Sequence, residues 1–467
     1  MRALLAAFGD PGHAFPMIAL GRALAARGHD VTLQTWRRWQ VHVEAEGLRF
    51  AAAPEYQVFP SGPEPLDFYD AAVQAARDTL PLVREQDPQV VVADILTLAP
   101  ALAAELAGRS WATLIPHVYP HGESEFPIYS LGARLPRTTV GRMLWRGAQG
   151  PIAGGLERGR VELNRARAQL GLQPLAYVHG GISRELALVA TFPQLEYPRT
   201  WPAHVQVVGP LMWEPPAAEV ALPTAAAGGA DASSDGAGEP PLVLIAPSTA
   251  QDPEHTLLRA AMRGLAGAPV RVLATYNRRL PPCPLPVPEN THVVEWVSYS
   301  RTMPRCEVVV CHAGHGTLAR ALACGCAVVA CPAVGDMNEN AARLSWAGAG
   351  VRVPRRFAYP RPLRMAVERA LAEPSIRARA AVLAEWMAAH DPGATAAARE
   401  SSSGGGTRTH NLSVNSRAHL PVELPRIGLP RRLRGLGDIV GRPIRARHGK
   451  QAGLNLGMPV AADQMTM

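Results

Sequence analysis

Three short stretches hold the residue types from which chemistry could be made. CHAGHG, at 311–316, sets His312 and His315 among Gly314 and Gly316, where an apolar run ends and a helical pattern begins. GDPGHAFP, at 9–16, carries His13 after the first apolar run, and VVVAD, at 90–94, ends on Asp94.

The first stretch allows three readings. Cys311, His312 and His315 are zinc-type ligands, but a structural site takes four ligands and a catalytic one three plus water. The chain has no second cluster of that spacing and no Asp-x-Asp pair to hold a phosphate-bound cation, so no metal is expected. A bare tight turn would need the glycines only for positive φ. A phosphate cradle needs more: a Gly-rich turn that bares backbone N–H groups, followed by the positive end of a helix dipole. Residues 314–319 also satisfy a GxGxxA fingerprint, with Asp336 twenty residues past Gly316. An NAD(P)- or flavin-dependent oxidoreductase is therefore the alternative. Against it, Asp336 lies in the loop VGDMNENA beyond Cys331-Pro332, not at the end of a second strand, and the fingerprint arrives at the fourth βα step of its domain.

The elements that position these residues alternate in one order. ALLAAF (3–8) reads as a buried strand, GDPGHAFP (9–16) as a loop, about 16–27 as a helix stopped by Gly28, and DVTLQT (30–35) as the next strand. QVVVAD (89–94), a helix over 97–107 closed by Gly108, and WATLIP (111–116) repeat it. After a segment of Ala, Gly, Pro, Ser and Asp at 214–241 the alternation restarts. It continues with PLVLIAP (241–247), a helix over about 253–266, PVRVLATY (269–276), HVVEWV (292–297), EVVVC (307–311), a helix from 317 and CAVVACP (326–332). Strands spaced by helices of this length predict βαβ units and parallel sheets. The expected organisation is an N-terminal domain over 1–213, a flexible, disordered linker over 214–241, a second domain over 242–400 with a closing helix, and a disordered basic tail over 401–467.

Of the net charge of +8, the tail carries ten basic against three acidic residues, leaving 37 against 36 in the body. The body therefore gives no electrostatic case for nucleic acid. No apolar run reaches the ~20 residues of a membrane span. All six cysteines fall between 283 and 331 without a CxxC, which fits reduced thiols, and the expected location is cytoplasmic.

The stretch VEWVSYSRTMPRCEVVVCHAGHGTLARALACGCAVVACPAVGDMNENAARLSWAGAGVRVP (294–354) resembles the donor-binding signature of the family 1 nucleotide-sugar glycosyltransferases. The resemblance extends over nearly all of 1–400, is moderate over 1–35, and is absent from the linker and tail. It implies the GT-B fold: two Rossmann-like, doubly wound α/β domains facing across a cleft, acceptor in the first and nucleotide-sugar donor in the second. By resemblance Trp296 stacks the nucleobase, and His312, Gly314, Gly316 and Thr317 bind the diphosphate. Asp336 contacts sugar hydroxyls with Asn340 following, and Ser248 and Thr249 touch donor phosphates. Met337 replaces the usual Gln, and Ser298-Tyr299 the usual Pro-Gln, which makes a deoxysugar plausible.

His13 matches the family's catalytic histidine and lies at the carboxyl end of its sheet, where open α/β folds bind ligands; its ordinary pKa near 6.5 suits a general base. Asp94 matches the aspartate that orients it; the alternative role is a helix N-cap. His117 and His121, in IPHVYPHGE, are reserve candidates, and His315 has no assigned role. Trp36, Trp39, Tyr56, Phe59, Phe68, Tyr69, Phe126 and Tyr129 are candidates to line an acceptor pocket. The expected activity is an inverting, metal-independent transfer of a sugar from a UDP- or dTDP-sugar to a hydroxyl of a small lipophilic acceptor. The partners are then that acceptor and the nucleotide sugar, with no resident cofactor. A catalytically silent nucleotide-binding helper is the remaining alternative.

Overall fold

The computed structural model describes residues 1–54, 68–223, 239–248, 252 and 254–403. The first domain runs β1 (Arg2–Ala6), α1 (Pro11–Ala26), β2 (Asp30–Thr35), α2 (Gln40–Ala45), β3 (Arg49–Ala52), α3 (Phe68–Gln86), β4 (Val90–Asp94), α4 (Leu98–Leu106), β5 (Trp111–Ile115), α5 (Thr139–Gln169), β6 (Ala187–Val189) and β7 (Val205–Val207). Its strands order as β3-β2-β1-β4-β5-β6-β7, all parallel.

The second runs β8 (Leu242–Ala246), α6 (Thr256–Leu265), β9 (Arg271–Thr275), β10 (Thr291–Val294), α7 (Tyr299–Thr302), β11 (Val308–Cys311), α8 (His315–Ala323), β12 (Ala327–Ala330), α9 (Asp336–Ala347), β13 (Gly350–Arg352), α10 (Pro360–Ala372), α11 (Pro374–Ala389) and α12 (Pro392–Ser403). The order is β10-β9-β8-β11-β12-β13, again all parallel. Covered on both faces, the central strands β4, β8, β11 and β12 bury every residue, which is why they read as unbroken apolar runs.

In each sheet the strand order reverses at one crevice, between β1 and β4 in the first and between β8 and β11 in the second. Ligands of open parallel sheets bind outside the carboxyl ends of the strands at such a reversal. His13 and Asp94 follow or end β1 and β4; Ser248 and His312 follow β8 and β11. The topology therefore sets both candidate stretches at the two places where a doubly wound sheet opens.

Four expectations are corrected. First, α1 begins at Pro11, not near residue 16: Pro11 takes the first helical position, where its missing N–H costs nothing, and Pro16 sits inside the helix. His13 is therefore a first-turn helical residue. Second, α8 begins at His315 rather than 317, with Gly314 as its N-cap.

Third, residues 214–223 are not a free linker. The Glu214 carboxylate accepts from Ser298 Oγ at 2.6 Å, Ser300 Oγ at 2.5 Å, and the backbone N–H groups of Tyr299 (3.2 Å) and Ser300 (3.1 Å). Val220 and Leu222 pack on the second domain's core. The segment's apolar and acidic side chains find fixed partners, which its Pro- and Ala-rich composition conceals. Fourth, α12 continues through Ser403, into the segment assigned to the tail, and Ala396 and Ala397 sit in the first domain's core beside Met17 and Leu20. Residues 224–238 and 404–467 lie outside the described residues.

The domains share more than the crossing helix. Val118, Phe192 and Leu195 of the first belong to the same apolar cluster as Val309, Leu318 and Leu344 of the second. Arg343 of α9 pairs with Glu339 and with Glu196 of the first domain, each at 2.8 Å, and all three side chains are at most 4% exposed. Glu196 in turn accepts the Tyr119 N–H at 2.6 Å. Every charge in the bridge thus has a partner, which a buried ion needs. The bridge holds α9, and with it Asp336, against the first domain.

Candidate active site

At the first crevice the His13 ring gives its Nδ1–H to Asp94 Oδ1 at 2.8 Å. Asp94 has no exposed side-chain surface, and its Oδ2 accepts the Phe8 N–H (3.3 Å) and the Thr97 hydroxyl (3.4 Å). It is not the N-cap of α4, which starts from Thr97. Burial alone would lower the His13 pKa; the Asp94 charge and hydrogen bond, with Asp10 and Asp336 adding, outweigh it and hold the value above the usual 6.5. With Nδ1–H committed to the carboxylate, the neutral ring carries its lone pair on Nε2, and the side chain keeps 17% exposure. That is the geometry of an oriented base. Behind it, a Cβ on Gly9 would overlap the Trp36 ring, so the loop after β1 can close only with glycine there. Trp39 Nε1–H holds the Gly9 carbonyl at 2.7 Å.

His117 stands beside this pair, its ring centroid 6.5 Å from that of His13. Its Nδ1 faces the Val118 carbonyl at 2.8 Å and the Tyr129 hydroxyl at 3.3 Å. Burial, only partly opposed by Asp336, lowers its pKa and keeps it neutral. Burial and the Asp336 and Glu339 charges raise the Tyr129 phenol well above its usual value. His121 belongs elsewhere: it packs on His179 and Tyr119, and burial together with His179 pushes it down to about 3.

At the second crevice β11 runs out through His312, Ala313 and Gly314 into α8. Ala313 takes a left-handed φ of 64°, and the Asn340 Nδ2–H bond to its carbonyl, at 3.1 Å, holds it there. Gly314 is required because a Cβ would overlap the His312 ring. Gly316, by contrast, is exposed and a Cβ there would meet nothing, so the first turn of α8 opens onto free space. Burial keeps His312 neutral by lowering its pKa, and its Nδ1 is buried without a hydrogen-bond partner. An unpartnered ring nitrogen, a glycine turn and a helix N-terminus together suit an anionic ligand. Thr317 lies partly exposed in the same turn, and Ser248 is buried at the exit of β8; Thr249 lies outside the described residues.

The remaining expected donor residues divide. Asp336 heads α9, its Oδ2 accepts from the Asn340 Nδ2–H that also holds the Ala313 turn, and its charge raises the proton affinity of His13, His117, Tyr129 and His312. Asn340 is 2% exposed, and its Nδ2–H group donates to the Ala313 carbonyl and to Asp336 Oδ2 at 3.3 Å, which positions the glycine turn and the carboxylate, while its Oδ1 is buried without a partner. Trp296 lies past the end of β10, half-buried, nearly parallel to Tyr299 and outside every core cluster. His315 is no loop side chain: it is buried in the first turn of α8, and its Nε2 meets the Ala190 carbonyl of the first domain at 3.2 Å. Burial pushes it down to about 3.

Of the candidate acceptor aromatics, Tyr129 joins the His13 cluster through His117, and Trp36 reaches it through Phe8. Phe126 packs into the core on Tyr197, Trp36 and Trp39 support the loop after β1, Phe68 and Tyr69 pair at the start of α3, and Tyr56 and Phe59 lie outside the described residues. Glu214 escaped sequence reasoning altogether. An acidic residue opening an Ala- and Pro-rich segment was its only signal.

Residues 265–400 match the Erythromycin biosynthesis protein CIII-like, C-terminal domain family. Over 422 residues the chain is 28% identical to 4'-demethylrebeccamycin synthase of Lentzea aerocolonigenes, covering 84% of this chain and 96% of that one. Over 415 residues it is 29% identical to O-mycaminosyltylonolide 6-deoxyallosyltransferase of Streptomyces fradiae, covering 83% and 94%. These matches support a family 1 glycosyltransferase. The fold of this glycosyltransferase is GT-B: it superimposes on the glycosyltransferase of kitacinnamycin with a TM-score of 0.66 at 18% identity, over 86% of this chain and 98% of that one. The calicheamicin glycosyltransferase CalG4 gives 0.64 at 20%, over 88% and 100%. The oxidoreductase reading of the glycine turn finds no support. Among the described residues of the glycosyltransferase no three His, Cys, Asp or Glu side chains converge as a metal site, and no helix is long and apolar enough to cross a membrane.

Proposed function

We propose that this glycosyltransferase moves a sugar, with inversion, from a UDP- or dTDP-sugar to a hydroxyl of a small lipophilic natural product. The observation that carries the proposal is the opposition of two unlike sites around one carboxylate. The His13–Asp94 pair offers a lone pair at one crevice, and His312 with the open first turn of α8 offers donors at the other. Asp336 acts electrostatically on both. His13 Nε2 takes the acceptor hydroxyl proton as that oxygen bonds to the anomeric carbon. The bond from that carbon to the diphosphate oxygen breaks, and its electron pair leaves with the diphosphate. His312 and the N–H groups of Gly316 and Thr317 meet the growing negative charge; fixed donors of this kind are worth roughly 3 kcal/mol each in the transition state. The resulting imidazolium is stabilised by Asp94.

Trp296 would carry the base, and Asp336 would bond sugar hydroxyls. Met337, with no amide to offer, favours a sugar lacking a hydroxyl at that side. The name of the Streptomyces fradiae relative, a 6-deoxyallosyltransferase, and a solved GT-B neighbour, VinC, in complex with dTDP agree with a deoxysugar on dTDP. His117 and Tyr129 line the acceptor side. The reaction uses no metal, and the protein works in the cytoplasm without nucleic-acid partners.

Ligand-induced melting against UDP, dTDP and their sugars tests this reading. At a hundredfold excess over Kd a bound nucleotide adds about 2.7 kcal/mol. Stabilisation by one of the two diphosphates, followed by acceptor glycosylation that survives EDTA and is lost in His13→Ala, is the expected result. No stabilisation by any nucleoside diphosphate, or full transfer by His13→Ala, overturns it.

A further inference from the structure

The turn leaving β9 is built against backbone preference. Asn277 and Arg278 take left-handed φ values of 51° and 63° in succession, and neither is glycine. Residues held this way persist where the surroundings over-determine them, and they gather at functional sites. The surroundings here are explicit. Asn277 N–H bonds Thr275 Oγ1 at 3.1 Å, Asn277 Nδ2–H bonds the Pro247 carbonyl at 2.6 Å, and Arg278 N–H bonds the Glu295 carbonyl at 3.0 Å. Thr275 Oγ1–H bonds that same Glu295 carbonyl at 2.9 Å. The turn is thereby pinned to the exits of β8 and β10, both at the carboxyl edge of the second sheet.

The effect is to lay Arg278 over Trp296, with its guanidinium carbon 4.6 Å from the ring centroid. Tyr299 lies nearly parallel to the same indole, at 18° and 6.3 Å, with its hydroxyl 3.4 Å from Asn277 Oδ1. Arg278 is exposed, and among the described residues it forms no ion pair. A planar cation with no carboxylate partner therefore sits where a planar base would stack on Trp296. A guanidinium stacks on an indole and can stack on a nucleobase in the same way.

We infer that Arg278 is a nucleotide-binding residue, the second wall of the base slot whose first wall is Trp296. The inference rests on the assignment of Trp296 to the nucleobase. In the free protein the two walls are closed on each other. A pyrimidine enters by lifting the guanidinium one stacking layer off the indole, so that the base is sandwiched between them. The backbone turn stays fixed while the side chain moves. The cation also suits the anionic character of the whole donor, but the contact assigned here is with the base.

The test is a titration of UDP, dTDP, uridine and thymidine against the wild-type chain, Arg278→Ala, Arg278→Lys and Trp296→Ala, with Kd read by calorimetry or ligand NMR. Arg278→Ala should weaken the preferred nucleoside and its diphosphate by the same factor, about three- to tenfold. Arg278→Lys, which keeps the charge but loses the plane, should recover only part of it. Donor KM should rise in parallel, with kcat at saturating donor unchanged. Unaltered Kd in Arg278→Ala beside a weakened Trp296→Ala overturns the Arg278 wall alone. Weakening confined to the diphosphate also overturns it, in favour of a phosphate contact. If Trp296→Ala leaves every Kd unchanged, the base lies elsewhere and the Trp296 assignment falls first.

Discussion

Asp94→Asn isolates the orienting carboxylate from the base it serves. In the native site Oδ1 takes the His13 Nδ1–H at 2.8 Å, while Oδ2 takes Phe8 N–H and the Thr97 hydroxyl at 3.3 and 3.4 Å. An amide has one oxygen for these two sides. Turned toward His13, it sets its NH₂ against the Phe8 N–H and leaves that buried donor unpaired, at a cost of about 1–3 kcal/mol. Turned the other way, it donates to His13 Nδ1, forces the ring proton onto Nε2, and blocks the lone pair the acceptor hydroxyl needs. Loss of the charge also removes the largest influence opposing burial at His13, so its pKa falls from the raised native value. A base works only when neutral. In the wild type kcat/KM should therefore fall as pH drops through the raised His13 value, and in the variant that limb should move to lower pH on a plateau about 10²–10⁴-fold down. The assay is the pH profile of kcat/KM for glycosyl transfer. An Asp94→Asn enzyme with native kcat/KM and an unmoved acid limb would refute the reasoning.

Three further outcomes are expected. Gly316→Ala meets nothing in the free protein; its melting temperature should hold, while UDP or dTDP affinity falls about tenfold or more because the new methyl stands where the phosphate approaches the α8 N–H groups. Glu214→Ala strips four acceptor contacts from residues 298–300; it should cost about 1–3 kcal/mol in denaturant unfolding and raise donor KM, since Trp296 lies two residues from Ser298. His315, neutral in the fold with a pKa pushed down to about 3, binds its proton only on unfolding below about pH 6.5. Stability should therefore decline from pH 6.5 toward 3 by ~1.4 kcal/mol per pH unit for this proton, a slope that His315→Asn removes in a pH series of urea melts.

The strands and the glycine turn were legible because parallel strands buried on both faces show as apolar runs, and Gly stops mark the ends of α1 and α4. The start of α1 was not: GDPGHAFP reads as a loop with Pro16 opening the helix, whereas Pro11 takes the first position and the same segment is helical. Residue type and resemblance single out His13, Asp94, His312, Asp336 and Asn340 as candidates, but not the bond by which the Asn340 Nδ2–H holds the Ala313 carbonyl.

What the sequence determined by itself is therefore local or periodic: fold class, strand positions, the glycine turn, and the histidines that could do chemistry. Tertiary structure decided which of those groups meet. Sheet order brings Asp94 to His13 across 81 positions, and the Arg343 bridge to Glu196 spans 147. Glu214 reaches Ser298 over 84, and the β9 turn lays Arg278 on Trp296. Proton affinities follow the same division. His13 is raised and His312, His315 and His117 are lowered from one common reference, because burial and neighbouring charge are properties of a folded site and not of a residue type.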